Sequence, residues 1–170
     1  MTAAPGNASD GPMMAFPLPP PMRRALDLAA VAAEAGEVPV GAVITLDGEI
    51  VAEARNSMRG NLDPTAHAEM VAIRHAATRL GRPRLDGCTL WVTLEPCAMC
   101  AGAIALARLD ALRFAAEDPK GGGVVHGARL FSQPTCHHRP DLLGGIGDEE
   151  AARQLREFFI SRRGDSKDDV

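Results

Sequence analysis

The chain has 170 residues, of which 46% are hydrophobic, and a formal net charge of -4; this length and apolar content suit a single domain with a sizeable core. No apolar stretch approaches the roughly 18 residues of a membrane span, and the start lacks the basic-then-apolar order of a secretory signal, which predicts a cytoplasmic protein without membrane contact. The acidic balance argues against a generally basic nucleic-acid binder but leaves a local basic surface open.

Three regions are predicted along the chain. Residues 1–21 are rich in Pro, Gly, Ala and Ser and are expected to form a disordered leader. Residues 22–163 carry the helical and strand patterns of the one folded domain, and residues 164–170 form a polar, acidic tail. The sequence therefore predicts one catalytic domain between two polar ends.

The domain is predicted to begin with a helix and a hairpin. From Met22 to Ala35 apolar residues recur at helical spacing, and Gly36 is placed to end the helix. The segments Val40–Leu46 and Glu49–Glu53 are rich in β-branched residues and are separated by Asp47-Gly48. That dipeptide predicts a tight turn between two antiparallel strands.

Helices and strands then alternate. The predicted elements are a helix opened by Asp63-Pro64 and closed by Gly81, a strand at Thr89–Thr93, a helix at Cys97–Ala107, a strand at Ala111–Ala115, a loop region at 121–138 and a helix from Asp148 to Arg163. This alternation predicts a layered α/β domain with a mixed sheet. Loop regions as long as 121–138 often carry function.

Two motifs at predicted helix starts form a bipartite metal site. The first is Thr65-Ala-His67-Ala-Glu69, and the second is Glu95-Pro-Cys97-Ala-Met-Cys100. The two cysteines are three residues apart and share a helical face, and a helix N-terminus favours the thiolates that zinc requires. With one nitrogen from His67, three protein ligands leave the fourth tetrahedral position open, which is typical of a catalytic zinc ion.

Glu69 is predicted to transfer protons and not to bind the metal. It lies two residues beyond His67, about 200° around an ideal helix, so that both can approach one point only in the first turn. An H-x-E motif followed by P-C-x-x-C is the established signature of zinc-dependent deaminases that act on nucleobases. The sequence therefore predicts hydrolytic removal of an exocyclic amine, with a zinc ion as cofactor.

A structural zinc site and a catalytically inactive binding module are the main alternatives. A structural site normally has a fourth protein ligand, and the candidates are Cys88, Cys136, His137 and His138. Their positions fit a buried strand and a loop better. An RNA-binding module without activity has no need of an unligated carboxylate beside the metal, so the presence of Glu69 opposes it.

The motifs and their surroundings resemble the bacterial tRNA-specific adenosine deaminases. The resemblance runs from about residue 22 to 163 and rests on Glu37-Val-Pro-Val-Gly-Ala-Val43, Asn56, Asp63-Pro-Thr-Ala-His-Ala-Glu69 and Val92-Thr-Leu-Glu-Pro-Cys-Ala-Met-Cys-Ala-Gly102. It implies a three-layer α/β/α cytidine-deaminase-like fold with a mixed, mostly five-stranded sheet, and a homodimer. It also implies conversion of the wobble adenosine to inosine in a tRNA anticodon arm.

By position, the resemblance assigns zinc binding to His67, Cys97 and Cys100 and proton transfer to Glu69. Deamination of a free base or nucleoside by the same site, such as guanine, cytosine or cytidine, remains the alternative activity. Free-cytidine enzymes commonly carry a cysteine where His67 stands, which disfavours that branch.

The resemblance also assigns substrate contacts. Asn56 matches a residue that meets the flipped nucleoside, and Asp118 and Lys120 match positions near the target in the anticodon loop. In the closing helix Phe159 is expected to face the nucleic acid, while Arg162 and a following basic residue are expected to meet phosphate.

Overall fold

The computed structural model describes residues 17–165. Its elements in chain order are α1 (Pro20–Glu34), β1 (Gly41–Leu46), β2 (Glu49–Arg55), α2 (Met58–Asn61), α3 (Ala68–Leu80), β3 (Cys88–Leu94), α4 (Ala98–Ala107), β4 (Ala111–Ala116), a 3-10 turn (Leu130–Ser132), β5 (Asp141–Leu143) and α5 (Asp148–Asp165). No helix within this range has both the length and the apolar character needed to cross a bilayer.

The five strands form one mixed sheet in the order β2-β1-β3-β4-β5. β1 is antiparallel to both β2 and β3, whereas β3, β4 and β5 run parallel to one another. The turn between β1 and β2 places Asp47 at φ 52° and Gly48 at φ 83°, the left-handed conformation that a two-residue hairpin requires. The predicted hairpin and mixed sheet are confirmed.

Helices cover both faces of the sheet. One apolar cluster packs α1 and α5 against one face, with Met22, Leu26 and Val43 fully buried. A larger cluster packs α3 and α4 against the opposite face around Ile44 and Ile104. Alternation of side chains along β1 divides its residues between the two layers, and the predicted three-layer α/β/α architecture is confirmed.

The topology brings three chain segments to one edge of the sheet. Because β2 and β3 are both antiparallel to β1, they point the same way, and β4 is parallel to β3. The starts of α3 and α4, which follow β2 and β3, therefore lie at the same edge as the segment after β4. Ligands of α/β proteins bind at this carboxyl edge.

Several element boundaries differ from the sequence prediction. α1 begins at Pro20, two residues before the predicted start. Proline is tolerated in the first helical turn, because the N–H group that it lacks would have no hydrogen-bond partner within the helix. Residues 1–16 of the predicted leader and 166–170 of the predicted tail lie outside the described residues, and α5 continues to Asp165.

The helix predicted from Asp63-Pro64 begins only at Ala68. Asp63 Oδ1 instead accepts hydrogen bonds from the backbone N–H and hydroxyl of Thr65, 2.8 and 2.7 Å away, and this side-chain turn competes with helix formation. The short helix α2 and the strand β5 were not predicted. β5 is three residues long and exposed, so no apolar pattern marks it.

Candidate active site

The two motifs place their first ligands immediately before a helix. His67 is the N-cap of α3, with φ -67° and ψ 151°, and Cys97 is the N-cap of α4, with φ -70° and ψ 174°. Cys100 follows in the first turn of α4, and side chains at the cap and third positions naturally approach each other. Both helix N-termini therefore direct backbone N–H groups toward the same region.

The three side chains fit a tetrahedral metal ion. The Cys97 and Cys100 sulfurs lie 3.7 and 3.5 Å from His67 Nδ1, and the three ligand atoms are all within 4.8 Å of one another. Tetrahedral zinc with ordinary bond lengths separates a sulfur and a nitrogen ligand by about 3.6 Å. The residues present thus suit a metal with three protein ligands and one open position.

Three of the four proposed fourth ligands of a structural site are buried or hydrogen-bonded elsewhere. Cys88 is fully buried in β3. Cys136 Sγ donates a hydrogen bond to the carbonyl oxygen of His138, and His138 Nε2 lies 2.7 Å from the carbonyl oxygen of Leu109. The contacts of Cys88, Cys136 and His138 therefore fit a metal group with three protein ligands, which is typical of a catalytic site.

The two thiols are electrostatically unequal. Hydrogen bonds from Cys100 and His67 lower the pKa of Cys97 to about 3, which favours its thiolate form. The same hydrogen bond, together with burial, raises the pKa of Cys100. A cation bound here replaces the Cys100 proton, which makes metal binding weaker at low pH.

Glu69 lies beside this group in the first turn of α3. Its side chain is buried, and it interacts with the Cys100 thiol and with the charges of His67 and Cys97. Burial raises the pKa of the Glu69 carboxyl to about 7, although a neighbouring metal cation opposes this shift. A carboxyl group of this kind can both accept and return a proton near neutral pH.

Asn56 is held at the same edge, directly after β2. Its Oδ1 accepts a hydrogen bond from the backbone N–H of Ala68 at 2.9 Å, and its own backbone N–H donates to the carbonyl oxygen of Val40. Within the described residues its side-chain nitrogen donates no hydrogen bond. Asn56 therefore ties the start of α3 to β2 while keeping one donor group for a ligand.

The other predicted contact residues meet in one groove of about 930 Å³. Its lining combines apolar residues with four basic and two acidic ones, and it includes Asp118, Lys120 and Phe159. Lys120 is exposed and Phe159 is 49% exposed. Asp118 Oδ1 accepts hydrogen bonds from the backbone N–H groups of Lys120 and Gly121, so its carboxylate shapes the turn that presents Lys120.

Arg162, which is expected to meet phosphate, makes two contacts within the protein. Its Nη2 donates to the carbonyl oxygen of Gly36 at 2.6 Å, and its guanidinium lies 5.2 Å from the ring centroid of Phe158. These contacts join the end of α5 to the end of α1 and satisfy a carbonyl at a helix terminus. Arg162 therefore fixes one wall of the groove.

Sequence reasoning assigned no role to Glu95, which the structure places at the centre of the loop packing. Its carboxylate is fully buried and accepts hydrogen bonds from four backbone N–H groups of the segment 118–126. Burial acts to raise its pKa, but these bonds and one from His126 outweigh it and hold the pKa at about 2. An acid between a buried strand and a Pro-Cys helix start was the available signal.

The fold and the site together define a metal-dependent deaminase with the cytidine-deaminase-like architecture. The chain belongs to the MafB19-like deaminase family, whose model matches residues 20–163. Within that class it is a member of the tRNA-specific adenosine deaminases, as a curated relative shows. The tRNA-specific adenosine deaminase of Agrobacterium fabrum is 52% identical over 142 residues, covering 84% of this chain and 93% of the relative.

Two solved structures differ in their similarity to this chain. One, from a study of A-to-I editing by tRNA:A34 deaminases at the wobble position of transfer RNA, has a TM-score of 0.79 and 52% identity, covering 79% of this chain and 98% of its own. The guanine deaminase of Bacillus subtilis has a TM-score of 0.58 and 36% identity, and the match covers 81% of this chain and 91% of that structure's chain. Both the sequence and the backbone resemble the tRNA enzyme more.

Proposed function

We propose that this protein deaminates the wobble adenosine of a tRNA anticodon loop to inosine. The observation that carries the proposal is the arrangement of the metal-binding group and Glu69 at the same sheet edge as the Lys120–Phe159 groove. The 52% identity to the tRNA-specific enzyme of Agrobacterium fabrum supports the choice of substrate. A tRNA substrate also supports the expectation of a cytoplasmic enzyme.

The reaction requires one water and releases one ammonia. The water oxygen forms a bond to C6 of adenine, and the bond from C6 to the exocyclic nitrogen breaks. Glu69 takes one proton from the attacking water and passes it to ring nitrogen N1. It then carries the remaining water proton, from the hydroxyl group on C6, to the departing amine, which leaves as ammonia. Glu69 is buried, and burial disfavours the ionised form of its carboxyl group. The group can therefore alternate between the protonated and ionised forms during the reaction.

The cofactor that we propose is one zinc ion per chain, held by His67, Cys97 and Cys100. One histidine nitrogen and two thiolates are a common donor set for catalytic zinc. When bound, the ion supplies a Lewis acid that makes water nucleophilic at neutral pH. The chain's own contribution is to fix the ligands at two helix starts and to keep Glu69 beside them.

An anticodon loop suits this site energetically. Its bases leave their stack at low cost, and flanking nucleotides can supply binding energy outside the pocket. In this proposal Asn56 donates to the flipped base, Asp118 and Lys120 contact neighbouring nucleotides, and Phe159 stacks on a base.

A direct assay separates this activity from deamination of a free base. The purified, metal-loaded protein is incubated at matched concentrations with an arginine tRNA transcript, its anticodon arm, and free adenosine, guanine and cytidine. Inosine at the wobble position and little ammonia from the free compounds are expected. Faster turnover of free guanine or cytidine than of the anticodon arm would refute the tRNA proposal in favour of the small-molecule alternative.

Lys120→Glu is expected to raise KM for the anticodon arm before it lowers kcat, because Lys120 is exposed and offers a cation to phosphate. Loss of one phosphate contact reduces the slope of log(kcat/KM) against log salt by about one, so the defect shrinks as salt rises. Arg79→Glu is the matched control, because it makes the same change in charge. Arg79 lies in the last turn of α3, at the end of that helix away from His67 and Glu69. Equal salt slopes in both variants would contradict a phosphate contact at Lys120.

We also propose that two copies assemble through the outer face of α4. The helix Ala98–Ala107 contains no charged residue, and apolar all-round helices are normally buried. One side packs in the core through Ile104, yet Leu106 is 84% exposed and Met99 is 36% exposed. A second copy would cover this patch, in accord with the homodimer that the family resemblance implies.

Leu106→Glu is expected to convert the dimer to a monomer, because a carboxylate cannot be buried unpaired at an apolar interface. Molar mass by light scattering measures the change, and metal content should stay unchanged. Leu62→Glu is the control, since Leu62 is 91% exposed but lies after α2. A dimeric Leu106→Glu protein would contradict this interface.

A further inference from the structure

Glu95 connects the metal-binding helix to the groove. It lies two residues before Cys97, at the end of β3, and its Oε2 accepts the backbone N–H of Asp118 at 2.9 Å. Its Oε1 accepts the backbone N–H groups of Val124, Val125 and His126 at 2.9–3.1 Å. One carboxylate thus holds both ends of the segment 118–126.

Two close approaches show how tightly this segment is seated. A Cβ atom added at Gly122 would lie 2.5 Å from the Glu95 carboxylate, and one added at Gly123 would lie 2.5 Å from the backbone nitrogen of Ala98. Gly123 also donates its N–H to the carbonyl oxygen of Pro96. The segment is therefore pressed against the first turn of the helix that carries Cys97 and Cys100.

His126 adds a side-chain contact from the far end of the segment. Its Nδ1 is 2.8 Å from Glu95 Oε2, and its Nε2 is 3.7 Å from Glu117 Oε2. The imidazole is 29% exposed, whereas the Glu95 carboxylate is fully buried. His126 therefore bridges the buried carboxylate and the start of the segment at the protein surface.

We propose that Glu95 is a positioning residue for RNA deamination, which fixes the Asp118–Lys120 turn relative to the metal site so that the anticodon loop meets a preformed surface. The inference rests on the proposed tRNA substrate. Glu95 is not one of the three metal-binding side chains, and its carboxylate acts through the segment 118–126. A misplacement of about 1 Å in a positioning element can lower kcat/KM roughly 100-fold.

Glu95→Gln tests the proposal because a glutamine cannot satisfy every donor. Its amide oxygen replaces Oε1, where three backbone N–H groups converge, and its NH2 group then faces the N–H of Asp118. In the reverse orientation the NH2 group faces the three N–H groups of Val124, Val125 and His126, which leaves three donors unsatisfied and costs more free energy. The substitution should therefore release the Asp118 end and leave the Val124–His126 end in place.

Two measurements are expected to show this release. Amide hydrogen exchange of Asp118 should accelerate at least about tenfold, while exchange at Val124, Val125 and His126 stays slower. KM for the anticodon arm should rise roughly tenfold or more, with metal content unchanged and a smaller effect on kcat. Exchange at Asp118 and KM both equal to those of the unmodified protein would overturn the proposal.

Glu37→Gln is a matched control. Glu37 is also a buried carboxylate that accepts two backbone N–H groups, but both bonds go to Oε1, so the glutamine NH2 group opposes no donor. This variant should keep normal KM and normal exchange at Asp118. An equal rise in KM in Glu37→Gln would attribute the effect to general loosening and overturn the specific role of Glu95.

The His126 pair provides a second test if Glu95→Gln fails to fold. His126→Ala removes the contact to Oε2 and should raise KM, while His126→Asn, which offers a donor near the position of Nδ1, should restore it. Equal KM values for both variants would contradict the proposal. Absence of inosine formation by the unmodified protein would refute the tRNA proposal. Hydrogen exchange needs no substrate, so it still tests whether Glu95 holds the segment 118–126.

Discussion

Glu69→Gln is expected to lower single-turnover inosine formation by roughly 100-fold to 10,000-fold, the range that general acid–base catalysis contributes. The glutamine has the same shape but neither accepts nor returns a proton at neutral pH. The thiol and imidazole ligands are unchanged, so the metal should remain bound. Fold and stability should also persist, because burial of a neutral amide replaces burial of a carboxyl group whose pKa is already raised to about 7.

Rapid-quench kinetics with excess enzyme and metal analysis of the same sample measure the two expectations together. Glu37→Gln provides the control for the same chemical change at another buried glutamate. A single-turnover rate close to that of the unmodified protein would reject Glu69 as the proton carrier. Loss of metal in Glu69→Gln would instead show that this carboxylate supports the ligands.

Cys97→Ala and Cys100→Ala are each expected to weaken metal binding by more than about 100-fold, since loss of an outer partner of a ligand already costs 10- to 100-fold. The remaining two ligands cannot complete a tetrahedral site. At a free metal concentration 100 times the Kd of the unmodified protein, binding adds about 2.7 kcal/mol to the free energy of unfolding, and the variants lose this contribution. Their thermal midpoints should no longer respond to a chelator.

Cys88→Ala controls for the cavity that removal of a buried sulfur creates. Cys88 and Cys100 are both fully buried, but Cys88 lies in β3 away from the ligand group. The Cys88→Ala variant should lose some stability through the cavity but retain one metal ion per chain. Stoichiometric metal in Cys97→Ala or Cys100→Ala after dialysis would contradict their assignment as ligands.

The sequence by itself determined the local elements and the chemistry of the motifs. The Asp47-Gly48 turn, the end of α3 at Gly81 and the strand around Trp91 follow from residues adjacent in the chain, whose conformational preferences act locally. That His67, Cys97 and Cys100 lie close together was also predictable, because metal ligands must be specific side chains at restricted spacings.

The tertiary structure alone decided how these parts meet. Glu69 and His67 approach one another because His67 is an extended N-cap residue, so the 200° separation of an ideal helix does not apply. The sequence shows an acid between a buried strand and a helix start, but not that Glu95 accepts four N–H groups from residues more than twenty positions away. Nor does it show that Arg162 donates to the carbonyl of Gly36. Such contacts depend on the relative direction of β2, β3 and β4, which arises from packing across the whole sheet and not from local preference.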